Sequence, residues 1–269
     1  MRSLGLHQIT AMQAGPLGLA EIAAATGCDE ICVFVNAPTD SRAFPMIDAG
    51  NQAAMAARLR DTGVRISNIE YFPIKPDTMV EAWRPALELG ASLGARLAVT
   101  HIHDPEPARA AAKLDALCGL AGSCGLEVGL EFMGLTPGCM TLAQAVDFVT
   151  QLGRDNLAIA VDALHLVRSG GTPADVAALP AAYFAYAQIC DGHGLGRATD
   201  YLPEALNRAM PGTGDFPLIE LIGALPAATP LDVEVPSTQL QQMGISELDH
   251  ARRAVDAVRA IIAAATPGR

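Results

Sequence analysis

Four side chains able to donate oxygen to a metal stand at matching places in the second half of the chain. They are Glu131 in GLEFMG, Asp162 in IAVDALH, Gln188 in AYAQICDG and Glu234 in LDVEVPS. Each lies at or near the end of a short apolar or β-branched run, where a carboxylate is costly unless a partner or an ion neutralises it. One acid in such a place is commonly a satisfied structural group. Three acids and an amide at equivalent places in successive runs are better explained by one shared divalent cation. The set contains only oxygen donors, which suits Mg²⁺ or Mn²⁺ better than Zn²⁺. Such an ion can chelate a hydroxy-ketone or vicinal diol, polarise its carbonyl and stabilise the enediolate left by proton removal. Glu131 and Glu234 would then flank the substrate, one removing the α-proton and the other returning it.

These residues can meet only if the elements that carry them share one end of a sheet. Strand-like runs are expected at Leu4–Ile9, Glu30–Val35, Arg65–Tyr71, Arg96–Ile102, Glu127–Phe132, Leu157–Val161, Phe184–Ile189 and Leu231–Val235. Their starts recur about every 30 residues, the length of one βα unit, and only the seventh interval is much longer. Ala/Leu-rich helical segments separate them. Thr78 precedes a helix running towards Leu93 with Gly94 as its stop, Thr141 opens a helix ending at Gly153, and Ser246 opens the last one. These are Ser/Thr starts and glycine stops. Continuously apolar strands that alternate with helices predict a parallel sheet covered on both faces. Eight of them predict one closed (β/α)8 TIM barrel over residues 1–269, with the four oxygen donors at the C-terminal mouth. A Rossmann or flavodoxin-like sheet fits less well, because no early GxGxxG follows a strand.

Composition narrows the partners. The 269 residues are 51% hydrophobic, 17% charged and 4% aromatic, with a formal net charge of -11 and a pI near 4.9. An acidic surface without a Lys/Arg cluster repels a phosphate backbone, which argues against nucleic acid. No apolar run is long enough for a membrane span or a signal peptide, so a cytoplasmic protein without a membrane partner is expected. The six cysteines are scattered and form no CxxC pair, as expected of reduced thiols. The expected partner is a small polyhydroxylated molecule, and a homo-oligomer is left open.

The spacing of Glu131, Asp162-x-x-His165, Gln188 followed by Asp191, and Glu234, together with RAMPGTG at Arg208–Gly214, resembles the xylose-isomerase-like barrel superfamily over nearly the whole chain. That superfamily includes sugar isomerases and epimerases, inosose dehydratases and dehydroshikimate dehydratases. The resemblance implies a metal bound by Glu131, Asp162, Gln188 and Glu234, with His165 facing the substrate. Many members carry His at the strand-seven position, where this chain has Gln188, similar to what some dehydroshikimate dehydratases use.

Other residues fill in the expected site. His7 closes the first strand, while His101 and His103 close the fourth; His7 and His101 are taken as substrate-binding candidates. Arg208 and Arg197 are candidates for holding a phosphate or carboxylate. GHGLG at Gly192–Gly196 lacks the context of a nucleotide loop and predicts a loop near the mouth. Cys190 has no neighbour in sequence that would make it a nucleophile. The reaction expected first is isomerisation or epimerisation of a sugar or sugar-like carbonyl compound. The runner-up is a dehydratase in which the enolate expels a β-hydroxyl protonated by His165, although Met133 stands where some dehydratases place His. A non-catalytic sugar-binding barrel is the alternative of another class.

Overall fold

The computed structural model describes residues 2–37, 44–238 and 242–266. Its eight strands are β1 (Leu4–His7), β2 (Glu30–Phe34), β3 (Arg65–Glu70), β4 (Leu97–His101), β5 (Glu127–Glu131), β6 (Leu157–Asp162), β7 (Phe184–Ile189) and β8 (Leu231–Val233). Each pairs in parallel with the next, and β8 returns to β1, so the sheet closes as a TIM barrel. The described helices are α1 (Gly15–Thr26), α2 (Gln52–Thr62), α3 (Arg84–Ser92), α4 (Pro107–Ser123), α5 (Leu142–Leu152), α6 (Ala163–Ser169), α7 (Pro173–Ala177), α8 (Leu202–Ala205), α9 (Leu218–Ala224) and α10 (Glu247–Ala265).

Successive side chains on a strand point to opposite faces, so one alternating set from each strand enters the barrel. The inward series include Leu97, Val99 and His101 on β4, Gly129 and Glu131 on β5, Ala160 and Asp162 on β6, and Tyr186 and Gln188 on β7. Leu97, Val99, Ala160 and Tyr186 form a buried cluster separate from the main core; they fill the interior below the polar mouth. The other strand face packs on the helices in one continuous core. Gly5 shows how tight the interior is, since a Cβ there would lie 2.0 Å from Asp232 Oδ1.

Helix starts follow the sequence at two of the three expected places. The Thr141 side chain accepts the Gln144 N–H and Gly153 closes α5 at φ 55°, while the Ser246 hydroxyl accepts the Asp249 N–H. Thr78 does not cap its helix. Its hydroxyl bonds Pro73 O and Lys75 N–H within a turn, a 3-10 turn follows over Val80–Trp83, and α3 begins at Arg84 with Pro85 in its first turn. Proline suits that position because its missing N–H is not needed there.

The long interval between β7 and β8 is organised by Asp191. Its buried carboxylate accepts N–H bonds from Gly192, Gly212, Gly214 and Phe216 at 2.8–3.1 Å. Gly214 is required at this approach, because a Cβ there would lie 2.4 Å from Asp191 Oδ1. The RAMPGTG segment is thus folded around one acid, and Arg208 at its start is carried to the mouth.

Candidate active site

The strand register decides which polar groups meet. His101 lies opposite Glu131 in the β4–β5 ladder, Asp162 opposite Gln188 in β6–β7, and His7 opposite Cys32 in β1–β2. Glu234 follows the last residue of β8. A cavity of about 190 Å³ opens at this end of the barrel, lined by His7, Glu70, His101, Glu131, His165, Gln188, Arg208 and Glu234 among others. Asp162 is fully buried beside it.

Two layers of pairing hold these groups. Glu131 Oε2 accepts from His101 Nε2 at 2.8 Å, and its other oxygen lies 3.5 Å from His165 Nε2. Arg208 bridges the far side: one guanidinium nitrogen bonds Asp162 Oδ2 and another lies 2.8 Å from Glu234 Oε1. Asp162 Oδ1 also caps α6 by accepting the His165 N–H at 3.0 Å. On the opposite side, His7 Nε2 lies 3.0 Å from Glu70 Oε1, and the Cys32 thiol is 3.5 Å from the same oxygen.

The electrostatics divide the acids. Burial raises the Asp162 carboxyl, but the Arg208 and His165 charges outweigh it and leave it below its ordinary value. At Glu234 burial wins over the neighbouring Arg208 and His7, and the carboxyl is pushed up to about 8. Burial lowers the His165 imidazole, with Arg208 and His101 adding to it against the pull of Asp162 and Glu131. For His7 burial is outweighed by Glu234 and Glu70, which push the imidazole up.

The residues present fit a divalent cation in a particular way. Among the described residues, Gln188 Oε1 and Glu234 Oε2 are buried oxygens with no hydrogen-bond partner, a cost that a cation would remove. Ligand atoms of Glu131, Asp162 and His165 lie within 4.8 Å of one another. Glu131, Gln188 and Glu234 thus line the cavity with Asp162 buried beside it, and Arg208 touches both Asp162 and Glu234. A second group of this kind, His7, Cys32 and Glu70, is also close enough for a metal. There, however, His7 Nδ1 accepts the Ile9 N–H at 3.2 Å. A neutral His7 therefore carries its proton on Nε2, as the donor to Glu70, and has no lone pair there for an ion.

Other sequence expectations come out differently. Arg208 does line the cavity, where its guanidinium is engaged by the carboxylates of Asp162 and Glu234. Arg197 lies away from the mouth, in a surface cleft of about 490 Å³ with Leu142, Val146, Gly170 and Leu179. His103 pairs with the Tyr71 hydroxyl at 2.8 Å and does not line the cavity, whereas His7 and His101 both do. Cys190 is buried with its thiol pushed well up by burial. Glu70 and Tyr201 were not singled out by sequence. Glu70 is an acid at a strand end, the same signal that marks Glu131; Tyr201 carries no such signal.

The chain belongs to the xylose isomerase-like TIM barrel family, whose model matches residues 20–262. Solved structures agree on the fold. A xylose isomerase domain protein from Alicyclobacillus acidocaldarius superposes with a TM-score of 0.79 at 21% identity, covering 98% of this chain and 99% of that one. An IolI protein with a bound zinc atom gives 0.82 at 16% identity over 99% and 100% of the two chains. An L-ribulose 3-epimerase gives 0.73 at 19% identity over 98% and 96%. These identities speak for the fold alone. In sequence, a 3-dehydroshikimate dehydratase of Pseudomonas aeruginosa is 31% identical over 134 residues, which is 48% of this chain and only 21% of that protein.

Proposed function

We propose that this chain is a divalent-metal-dependent isomerase or epimerase acting on a small, uncharged polyhydroxy carbonyl compound by proton transfer. The observation that carries it is the cavity of about 190 Å³ lined by Glu131, Gln188 and Glu234, where Gln188 Oε1 and Glu234 Oε2 are buried without a hydrogen-bond partner among the described residues. When bound by Glu131, Asp162, Gln188 and Glu234, a divalent ion would polarise the substrate carbonyl and ease loss of the neighbouring proton. Glu131 and Glu234 come from different sectors of the barrel and can address different sides of a substrate carbon, one taking the proton and one returning it. His101 bonds one oxygen of Glu131, and His165 Nε2 lies 3.5 Å from the other.

Arg208 is the only Lys or Arg lining the cavity among the described residues, and both carboxylates it touches already claim it. No Lys or Arg free of carboxylate pairing lines the cavity among the described residues, which favours a neutral sugar or inosose over an acidic substrate. The dehydratase reading draws on the partial 3-dehydroshikimate dehydratase match and on Gln188. Against it stand Met133 on the cavity wall and the committed Arg208. Nuclear magnetic resonance of ketoses, inososes and dehydroshikimate incubated with the protein in D₂O tests the proposal. Deuterium at the α-carbon with a new isomer supports it. Exchange with water loss selects the dehydratase, and ligand binding without any exchange selects a sugar-binding barrel.

Two outcomes concern the metal. Protein grown with Mg²⁺ and Mn²⁺ should carry about one divalent ion per chain by elemental analysis, as a single four-donor site holds one ion. Chelation should abolish turnover and leave the circular dichroism spectrum nearly unchanged, since the apolar core does not depend on the ion. Metal-free protein with full turnover would refute the site. Gln188→His should raise the Zn²⁺-to-Mn²⁺ affinity ratio in calorimetric titrations, because imidazole favours Zn²⁺ more than an amide oxygen does. Gln188→Ala should weaken every metal. An unchanged ratio in Gln188→His would remove Gln188 from the ligand set.

A further inference from the structure

Tyr201 immediately precedes the short helix α8, far in sequence from the strands that build the mouth. Its side chain nevertheless reaches the site: the hydroxyl lies 2.8 Å from His165 Nδ1 and 2.9 Å from the Gly134 backbone nitrogen. A backbone N–H can only donate, so Gly134 occupies one lone pair of the phenol oxygen. The residue is 3% exposed, and no other hydrogen bond to its oxygen is seen among the described residues. The phenol proton therefore has His165 Nδ1 as its acceptor. The reverse arrangement, Nδ1–H donating to the phenol, would leave a buried O–H without a partner, which folded proteins avoid.

We infer that Tyr201 is a positioning residue that locks His165 into the tautomer with its proton on Nε2, so that a fixed N–H donor faces Glu131 and the substrate space. Nε2 is the atom 3.5 Å from Glu131 Oε1. In this state His165 donates a hydrogen bond to a substrate oxygen or to Glu131, and it does not bind a metal through Nε2. The site then has the same device twice. In its neutral form His7 would be held in the matching tautomer by the Ile9 N–H at Nδ1, although there the backbone does the work.

Arg168 keeps Tyr201 in register with His165. It stands on α6, three residues after His165, and its guanidinium bonds the carbonyls of His193, Gly194 and Gly196 at 2.9–3.1 Å. It also bonds Glu204 on α8 at 2.6 Å and packs over the Phe216 ring. One short helix thus carries both the histidine and the clamp on the segment that brings the tyrosine. The catalytic meaning of the donor rests on the proposed proton-transfer function; the tautomer itself does not.

The test is a long-range ¹H–¹⁵N correlation spectrum of histidine-labelled protein with Mg²⁺ at fixed neutral pH, His165 being assigned with His165→Gln. The expected spectrum has an unprotonated, pyridine-type Nδ1 and a protonated, pyrrole-type Nε2. Tyr201→Phe should shift both nitrogens towards a mixture of tautomers, with the circular dichroism spectrum unchanged. A protonated Nδ1 in the wild type, as the other tautomer or as imidazolium, would overturn the inference even if the variant fails to fold. A folded Tyr201→Phe that keeps the single Nε2–H tautomer would overturn it too. Neither reading needs a substrate, so this result and the deuterium experiment fail independently.

Discussion

Glu131→Gln and Glu234→Gln should each lower turnover by about 10³-fold or more, since a positioned acid–base group typically contributes about 10²–10⁴ and both residues are also placed to ligate. Glutamine keeps the shape and one oxygen donor but cannot accept the α-proton. The His101 and Arg208 contacts, 2.8 Å each, can largely survive the exchange. The loss should therefore appear in kcat, with the fold and most metal binding retained. The two variants should also differ in partial reactions. In D₂O, the variant that lacks the first base should leave recovered substrate unlabelled, whereas the one that lacks only the returning acid can still exchange the substrate proton. Equal and unimpaired turnover in both variants would show that neither carboxylate moves a proton.

Arg208→Met should destabilise the folded chain by about 3–5 kcal/mol, the cost typical of removing one partner from a buried ion pair. Asp162 and Glu234 are both buried, and Arg208 is the cation that touches both of them. Without it Asp162 must take up a proton or recruit another cation, and Glu234 loses the positive charge beside it. The prediction is accordingly double: a large loss in urea denaturation without metal, and partial recovery when millimolar Mg²⁺ or Mn²⁺ is added. Recovery follows because an ion that binds only the folded state stabilises it by mass action. A loss below about 1 kcal/mol, the range of an exposed pair, would mean that Arg208 is not the internal counter-ion described above. Loss without recovery by metal would separate the Arg208 pairing from cation binding at the same acids.

The barrel itself was legible because its physics is local and repeated. Parallel strands buried on two faces must be apolar runs, and each needs a helix to return the chain, so the period is written along the sequence. Boundaries were less legible. The first strand stops at His7, not Ile9, because His7 caps the 3-10 helix that follows. Thr78 joins a turn and leaves helix initiation to Pro85. At both places a side-chain bond to nearby backbone competes with continued strand or helix, and that competition is settled by geometry that composition does not encode.

The four oxygen donors could be placed at one mouth from the sequence because strand alternation and a common strand end fix their level and face. Glu70 was open to the same reasoning, being an acid at the end of β3. What the sequence by itself determined is therefore the fold, the level of the polar ring and the hard-donor character of its acids. Only the tertiary structure decided how those charges are divided. Arg208 enters from a loop folded around Asp191, Tyr201 arrives on a segment clamped by Arg168, and the Ile9 N–H sets the His7 tautomer. Each depends on where a connecting segment passes over the barrel mouth. That path is fixed by a few long-range hydrogen bonds between residues of no common spacing, so no periodic pattern could announce it.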